Sequence, residues 1–118
     1  MSGGKKIITF ISHTPFGSPF CEEGLRFALG INNTRFNHKI TTILINDGVW
    51  LALNTISERD FEKYLKAFFA MDMEFIIEKE SLEKRKISED LIKSNYFIIK
   101  SKAEIFDYVK QADFSICY

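Results

Sequence analysis

Short, nearly uninterrupted apolar runs recur along the chain and predict five strands. They cover residues 7–11, 39–46, 73–77, 96–99 and 114–117. These runs are rich in isoleucine and phenylalanine, which is typical of strands that are covered on both faces of a sheet. The pattern therefore predicts a sheet that lies inside the molecule.

Between the strands, apolar residues recur at helical spacing. The clearest helix follows Ser57 or Asp60, either of which would cap it. Its apolar positions fall at i, i+3, i+4, i+7 and i+8 and are Phe61, Tyr64, Leu65, Phe68 and Phe69. Another helix is indicated after Pro19, where one face carries Phe20, Gly24, Phe27, Ala28 and Ile31. Ser101 is placed to cap a helix over residues 102–111.

Shorter segments complete the alternation of strands and helices. Residues 81–86 and 88–92 predict short helices, and residues 50–53 predict a short helix or a turn. Such an alternation favours an α/β fold, and we expect a three-layer α/β/α sandwich around a mainly parallel five-stranded sheet. With 118 residues, the chain is expected to form one domain over residues 1–118, with residues 1–5 as a flexible leader.

The charge balance argues against nucleic acid and membranes as partners. Sixteen basic residues match sixteen acidic residues, whereas binding to a phosphate backbone or an anionic membrane needs a basic surplus. No apolar run in the sequence is long enough to span a bilayer, and the N-terminus lacks a secretory apolar segment. Two cysteines without a CxxC pair are typical of free thiols in the cytoplasm. We therefore expect a cytoplasmic protein.

Phenylalanine is abundant, with 12 in the chain. A domain of this size is not expected to bury all of them in its own core. Some should be exposed or pack against another subunit, so we expect an oligomer.

Familiar cofactor and catalytic motifs are missing from the sequence. It contains no G-x-G-x-x-G, no Walker P-loop and no G-x-S-x-G. The two histidines and two cysteines do not show the spacing of metal ligands. We therefore predict neither a cofactor nor a metal site.

The loop between the first strand and the first helix is the leading candidate for a site, because ligands collect where a parallel strand ends and a helix begins. Cys21 would lie in the first turn of that helix, where free N–H groups and the helix dipole stabilise a thiolate. Glu22 and Glu23 act against this. The competing interpretation is a small buried core residue. Cys117, in the last strand, is interpreted as inert packing.

Polar side chains of the same loop are candidates for ligand binding. His13 would be a proton donor or a ligand contact, or else a solvated loop residue. The hydroxyls of Ser12, Thr14 and Ser18, with Gly17 between them, would hold an anion at the helix N-terminus, or would satisfy the loop's own backbone.

A second candidate segment follows the second strand. Asp47 and Gly48 predict a turn that would shape a pocket beside the first loop, and Trp50 would line a pocket or a subunit interface. Further along, a charged cluster is interpreted as a solvated helix face. It consists of Glu78, Lys79, Glu80, Glu83, Lys84, Arg85 and Lys86.

Three stretches of the sequence are informative when taken together. They are ITFISHTPFGSPFCEEGLRFAL, TTILINDGVWLAL and MDMEFIIEKESLEKRKI, followed by a C-terminal YVKQADFSICY. This set resembles the DsrE/DsrF-like sulfur-relay superfamily, and within it most closely the DsrF/TusC branch. The likeness covers nearly the whole chain in order and spacing.

The resemblance implies a small α/β domain that assembles with related subunits, often into heterohexamers. It also implies transfer of persulfide sulfur between proteins, in tRNA 2-thiouridine synthesis or in dissimilatory sulfur metabolism. In subunits of the DsrE/TusD type, the sulfur-carrying cysteine lies at the end of the third strand. The matching region here, residues 77–81, contains no cysteine.

Three functions stay open at this point. The first is a non-catalytic subunit of a sulfur-relay complex, similar to DsrF/TusC, with related subunits, a second copy or sulfur-carrier proteins as partners. The second is an enzyme-like persulfide carrier that uses Cys21 as its nucleophile. The third is a module that binds a small anion or a nucleotide through the loop over residues 12–18 and the helix N-terminus.

Overall fold

The structure is a computed structural model that describes residues 4–16, 19–32, 38–53, 59–93 and 96–118. Its strands are β1 (Lys6–Ile11), β2 (Lys39–Leu44), β3 (Glu74–Glu78), β4 (Ile98–Lys100) and β5 (Phe114–Cys117). Its α-helices are α1 (Phe20–Asn32), α2 (Arg59–Ala70), α3 (Lys79–Lys84) and α4 (Lys102–Gln111). Two 3₁₀ helices cover Asn46–Ala52 and Glu89–Leu91.

All five strands form one parallel sheet in the order β4-β3-β2-β1-β5. From β1 to β4, each strand pairs with the strand that precedes it in the sequence. The chain then returns across the sheet, and β5 pairs with the other side of β1. Right-handed crossovers require that this reversal carry its helix to the opposite face of the sheet. The predicted five-stranded α/β fold is confirmed, and the sheet is entirely parallel.

Two separate cores show that helices cover both faces of the sheet. The larger core lies on the face covered by α1, α2 and α3, hereafter the α1 face, and includes Leu25, Leu65 and Leu82 from these helices. The smaller core lies on the α4 face, where Ile105 packs against Ile8, Ile43 and Ile76. The protein therefore has the three layers that the sequence predicts.

Several element boundaries differ from the sequence prediction. The second strand ends at Leu44, and the segment predicted as a short helix or turn over residues 50–53 is a 3₁₀ helix that already begins at Asn46. The third helix begins at Lys79, directly after β3. The fourth strand begins at Ile98 rather than at residue 96. The single domain and the flexible leader stay predictions, and residues 1–3 lie outside the described residues.

The N-terminus of α4 confirms a predicted cap. The Ser101 side chain accepts a hydrogen bond from the N–H of Glu104 at 3.2 Å. In return, the Glu104 carboxylate accepts one from the N–H of Ser101 at 2.9 Å. The hydrogen bond from the Ser101 N–H to the carboxylate is the main cause of the lowered pKa of Glu104. This reciprocal pair is a capping box, which fixes where the helix starts.

Two threonines at the centre of the sheet give a first testable prediction. Thr9 and Thr42 are register partners, are fully buried, and have hydroxyls without a hydrogen-bond partner in the described part of the chain. Valine has the same shape and no hydroxyl to desolvate, so Thr9→Val or Thr42→Val should raise the free energy of unfolding by about 1 kcal/mol. Urea unfolding measures this change.

The matched control is Thr41→Val. The Thr41 hydroxyl donates to Glu74 Oε1 at 3.0 Å, so its removal should lower the free energy of unfolding. A loss of stability in the Thr9 and Thr42 variants would show that their hydroxyls are bonded in the folded protein, which would contradict the prediction.

Candidate functional site

The carboxyl ends of β1, β2 and β3 meet at one edge of the sheet, where parallel α/β folds bind ligands. The loop after β1 begins at Ser12, a 3₁₀ helix follows β2, and α3 follows β3 directly. This edge, hereafter the carboxyl edge, carries most of the side chains that the sequence singles out.

Gly48 brings two of the predicted segments together. The N–H of Ile45 donates to the carbonyl oxygen of Ile11 at 3.0 Å. A Cβ atom on Gly48 would collide with that same carbonyl. Glycine is therefore required for the 3₁₀ helix to pack against the end of β1. Asp47 and Gly48, which the sequence predicts as a turn, lie in this 3₁₀ helix and consequently beside the loop that begins at Ser12.

The described polar residues of that loop contact either the C-terminal residue or nearby residues of the chain. Ser12 donates both its N–H, at 2.7 Å, and its hydroxyl, at 3.0 Å, to the carbonyl of Tyr118. Thr14 Oγ1 accepts the N–H of Phe16 at 3.2 Å, so it satisfies the loop's own backbone. His13 is exposed, with its ring 4.7 Å from the ring of Phe20. The other two loop candidates, Gly17 and Ser18, lie outside the described residues.

Cys21 lies in the first turn of α1, as predicted, but its side chain is part of the core. It is fully buried. Burial, with a smaller contribution from the charge of Glu22, raises the pKa of its thiol to about 12. The thiolate is the reactive form of cysteine. These features favour the interpretation of Cys21 as a core residue, while its catalytic role stays a prediction.

Cys117 differs from its sequence interpretation. It is exposed, so its assignment as packing is wrong. The cause is that β5 is an edge strand of the sheet, and all four of its residues are exposed. Cys117 Sγ lies 3.7 Å from Ser12 Oγ, because β5 pairs with β1 and brings Cys117 beside Phe10. Sequence alone did not reveal this neighbour, since the order of strands is not encoded in their apolar pattern.

The end of β3 holds a buried carboxylate rather than a thiol. Glu78 is 8% exposed and accepts a hydrogen bond from the Ser81 hydroxyl. Ser81 Oγ in turn accepts the N–H of Asn46 at 2.9 Å. Asn46 has φ = 50°, an unusual conformation for a residue other than glycine. This cluster ties β2, β3 and α3 together through polar groups that satisfy one another.

An ion pair borders the same cluster. Arg85 Nε lies 3.0 Å from Asp47 Oδ1, and its Nη1 donates to the carbonyl of Ser81 at 3.3 Å. The interpretation of the charged cluster as a solvated face is therefore wrong for Glu78, which is buried, and for Arg85, which is half-buried. Trp50 is half-buried against the larger core.

The loops after β3 and β4 lead to opposite faces of the sheet. Such a reversal makes a crevice between neighbouring strands, which is the usual ligand site of open α/β sheets. Here Glu80 Oε1 accepts the N–H of Lys102 at 2.8 Å, while the side chain of Ser101 accepts that of Glu104. Two N–H groups at the start of α4 are thus already bonded within the chain.

Three cavities lie near the amino ends of the strands, on the opposite side from the carboxyl edge. One of about 60 Å³ lies between β1, β2 and α4 and is lined in part by Tyr108. The others measure about 200 and 260 Å³. Burial and the neighbouring Glu74 carboxylate raise the pKa of Tyr108. None of the described residues predicted as site residues lines these cavities.

A comparison with protein-family models decides the family. The model of the DsrE/DsrF-like family matches residues 5–117. The chain belongs to the DsrE/DsrF-like family. This membership supports a role related to sulfur relay in general, and proteins of the family generally function in complexes with related subunits. A search of curated proteins found no match.

Solved structures share the DsrE/DsrF-like fold along nearly their whole length. The ychN protein from E. coli is 21% identical with a TM-score of 0.83, covering 97% of this chain and 99% of that one. MTH1491 from Methanobacterium thermoautotrophicum is 9% identical with a TM-score of 0.69, at 97% and 99% coverage. BT1422 from Bacteroides thetaiotaomicron is 14% identical with a TM-score of 0.70, at 95% and 94% coverage. These likenesses show the fold.

The described residues contain no group of three or more histidine, cysteine, aspartate or glutamate side chains that would hold a metal ion. Within the same ranges, every helix is too short or too polar to cross a bilayer.

The close approach of Gly48 to β1 predicts a large effect of a single methyl group. Gly48→Ala should lower the free energy of unfolding by about 3 kcal/mol, because the backbone of Ile11 has to move. Gly30→Ala is the matched control, since a Cβ there meets nothing within 4 Å. In α1 it should instead raise stability by about 0.8 kcal/mol. Urea unfolding of both variants tests this, and equal effects would contradict it.

The two thiols should differ in reactivity. At pH 8, Cys117 should be alkylated by iodoacetamide in the folded protein, whereas Cys21 should react only after unfolding. The reasons are the exposure of Cys117 and the raised pKa of the buried Cys21. Peptide mass spectrometry after timed alkylation gives both rates, with Cys117→Ser as the control. Rapid alkylation of Cys21 in the folded protein would contradict its assignment to the core.

Proposed function

We propose that this protein is a non-catalytic subunit of an intracellular sulfur-relay complex, similar to DsrF/TusC. In this role it binds related subunits and does not itself carry the persulfide. Family membership supports a sulfur-related role. The proposal also includes the DsrF/TusC branch, the cytoplasmic location and the pathway, which is tRNA thiolation or another.

The observation that carries the proposal is the identity of the residue at the end of β3. In the superfamily that this chain resembles, subunits of the DsrE/TusD type have their sulfur-carrying cysteine there, whereas this chain has Glu78. That carboxylate is bonded to Ser81, which is itself bonded to Asn46. A persulfide cannot form on these groups, because it requires a thiol sulfur. The cluster instead stabilises the carboxyl edge, since burying a carboxylate is costly unless hydrogen bonds compensate it.

The alternative of a persulfide carrier that uses Cys21 receives less support. A carrier thiol must reach a donor and react as a thiolate, and Cys21 is fully buried with a pKa raised to about 12. The exposed Cys117 meets the requirement of access, so it is the thiol against which the proposal has to be tested.

Exposed phenylalanines support the assembly part of the proposal. Among the described residues, five are exposed: Phe16, Phe20, Phe69, Phe106 and Phe114. Large apolar side chains at a surface are typical of sites that contact other proteins. We infer that some of these side chains are buried against other subunits.

Intact-mass spectrometry after exposure to a persulfide donor tests the proposal. The wild type, Cys21→Ser and Cys117→Ser are each incubated with the donor and measured before and after reduction. A non-catalytic subunit should gain no reducible sulfur in any of the three, or should pass none to an acceptor protein. A subunit of the DsrE/TusD type, with its cysteine at the end of the third strand, provides the positive control.

Two results would contradict the proposal. A sulfur gain lost only in Cys117→Ser, with transfer to an acceptor protein, would make Cys117 the carrier. The same pattern in Cys21→Ser would identify Cys21 as the nucleophile instead.

A further inference from the structure

At β5, the edge of the sheet has main-chain N–H and carbonyl groups that point away from the neighbouring strand. β5 is last in the strand order, and among the described strands its one neighbour is β1. Tyr118 donates its N–H to Phe10 at 2.8 Å, and its carbonyl accepts the N–H of Ser12 at 2.7 Å. Alternate residues of a strand direct their main-chain groups to the same side. The N–H and carbonyl groups of Ser115 and Cys117 therefore point away from β1.

This edge lacks the charged or proline residues that usually protect an edge strand from pairing. All four residues of β5 are exposed, and none of them is charged or a proline. Phe114 is 57% exposed and Ile116 is 37% exposed. The opposite edge differs, because β4 ends in Lys100, whose Nζ lies 3.9 Å from Glu104 Oε2. An uncharged, apolar and open edge is suited to pairing with another strand.

The apolar side chains of β5 share one face. Phe114 is paired with Ile7 and Ile116 with Thr9, so both point to the α1 face, because paired residues of neighbouring strands point the same way. The ring of Tyr118 lies 5.9 Å from that of Phe27 in α1, on the same face. These three side chains form a row along the edge, with Ile116 at its centre.

We propose that two copies of this chain pair through β5 in an antiparallel, twofold-symmetric arrangement centred on Ile116. Ser115 and Cys117 of each copy then exchange main-chain hydrogen bonds with Cys117 and Ser115 of the second copy. Ile116 lies opposite Ile116 of the second copy as a non-hydrogen-bonded pair, with Cα atoms about 4.5 Å apart. Phe114 lies opposite Tyr118 of the second copy, and the two sheets become continuous.

Symmetry and charge favour a second copy as the occupant of this edge. A twofold axis through Ile116 brings the outward donors and acceptors of one β5 against those of the other, so the edge is complementary to itself. The four residues of β5 are uncharged, so no like-charged side chains meet where these residues pair. The chain has a formal net charge of zero, so long-range repulsion does not oppose association of two copies.

The area of the edge sets the expected strength of the dimer. At exposures of 57% and 37%, Phe114 and Ile116 offer on the order of 200 Å² of apolar surface per copy. Stable interfaces bury about 800 Å² per partner. The β5 pair by itself therefore gives a weak dimer, whose population rises with protein concentration. The inference rests on the proposed function in one respect, namely that the protein assembles with other subunits. It does not depend on sulfur chemistry.

Sedimentation velocity of the full chain over a range of concentrations tests the interface. Ile116→Lys places like charges opposite each other and should weaken the dimer at least about tenfold. Ile98→Lys is the matched control, because Ile98 is 51% exposed on the other edge strand, β4. It should leave the dimer unchanged. Circular dichroism checks that both variants fold.

Disulfide trapping tests the register. In a Cys117→Ser background, Ile116→Cys should form a disulfide-linked dimer under mild oxidation, since a Cα separation of about 4.5 Å permits the bond. Ile98→Cys in the same background is the control and should stay unlinked. Cys21 is buried and does not interfere.

Three results would overturn the inference. A chain that is monomeric at every concentration shows no pairing through β5, but it leaves a complex with different subunits intact. An oligomer that Ile116→Lys does not affect assigns the interface to another surface and leaves the assembly part of the proposed function standing. Equal cross-linking of the Ile116 and Ile98 variants indicates random collision.

Discussion

The end of β1 at Ile11 is the point on which the carboxyl edge depends. Its carbonyl accepts the N–H of Ile45, and Gly48 lies so close to it that no Cβ fits between them. On the other side, a Cβ on Gly24 would come within 3.1 Å of the Ile11 side chain. Ile11 itself is fully buried. The loop after β1, the 3₁₀ helix after β2 and the start of α1 are thus positioned by one residue.

The end of β3 shows how the chain stabilises an edge that family resemblance links with sulfur chemistry. Glu78 is buried, and a buried carboxylate is tolerated where a hydrogen-bond donor reaches it. Ser81 supplies its hydroxyl, and the unusual backbone of Asn46 directs an N–H to that hydroxyl. Arg85 adds a bond to the carbonyl of Ser81. Each group is satisfied by the next, which suits a structural role better than a reactive one.

The sequence predicted the elements well because apolar runs and helical spacing report burial directly. It did not predict the exposure or burial of residues whose environment depends on elements distant in the sequence. Phe114–Cys117 reads as a buried strand, yet β5 is an exposed edge, and this places Cys117 at the surface. Glu78 stands in a run of charges that reads as solvated, yet Ser81 makes its burial possible. Asp47 and Gly48 are predicted as a turn but lie in a 3₁₀ helix, and the contact of Gly48 with Ile11 depends on which strands are neighbours.

The two thiols of the chain are separated by the same topology. Cys21 lies within the larger core, where burial raises the pKa of its thiol and keeps it protonated. Cys117 lies on β5 and points to the α4 face, because it is paired with Phe10, whereas Ile116 points to the α1 face. Pairing of two β5 strands would use the main chain of Cys117 and leave its thiol on the face away from the apolar row. Ser115 of the second copy would then lie beside that thiol. Strand pairing and access to this thiol are therefore compatible, so assembly through β5 does not by itself decide whether Cys117 reacts.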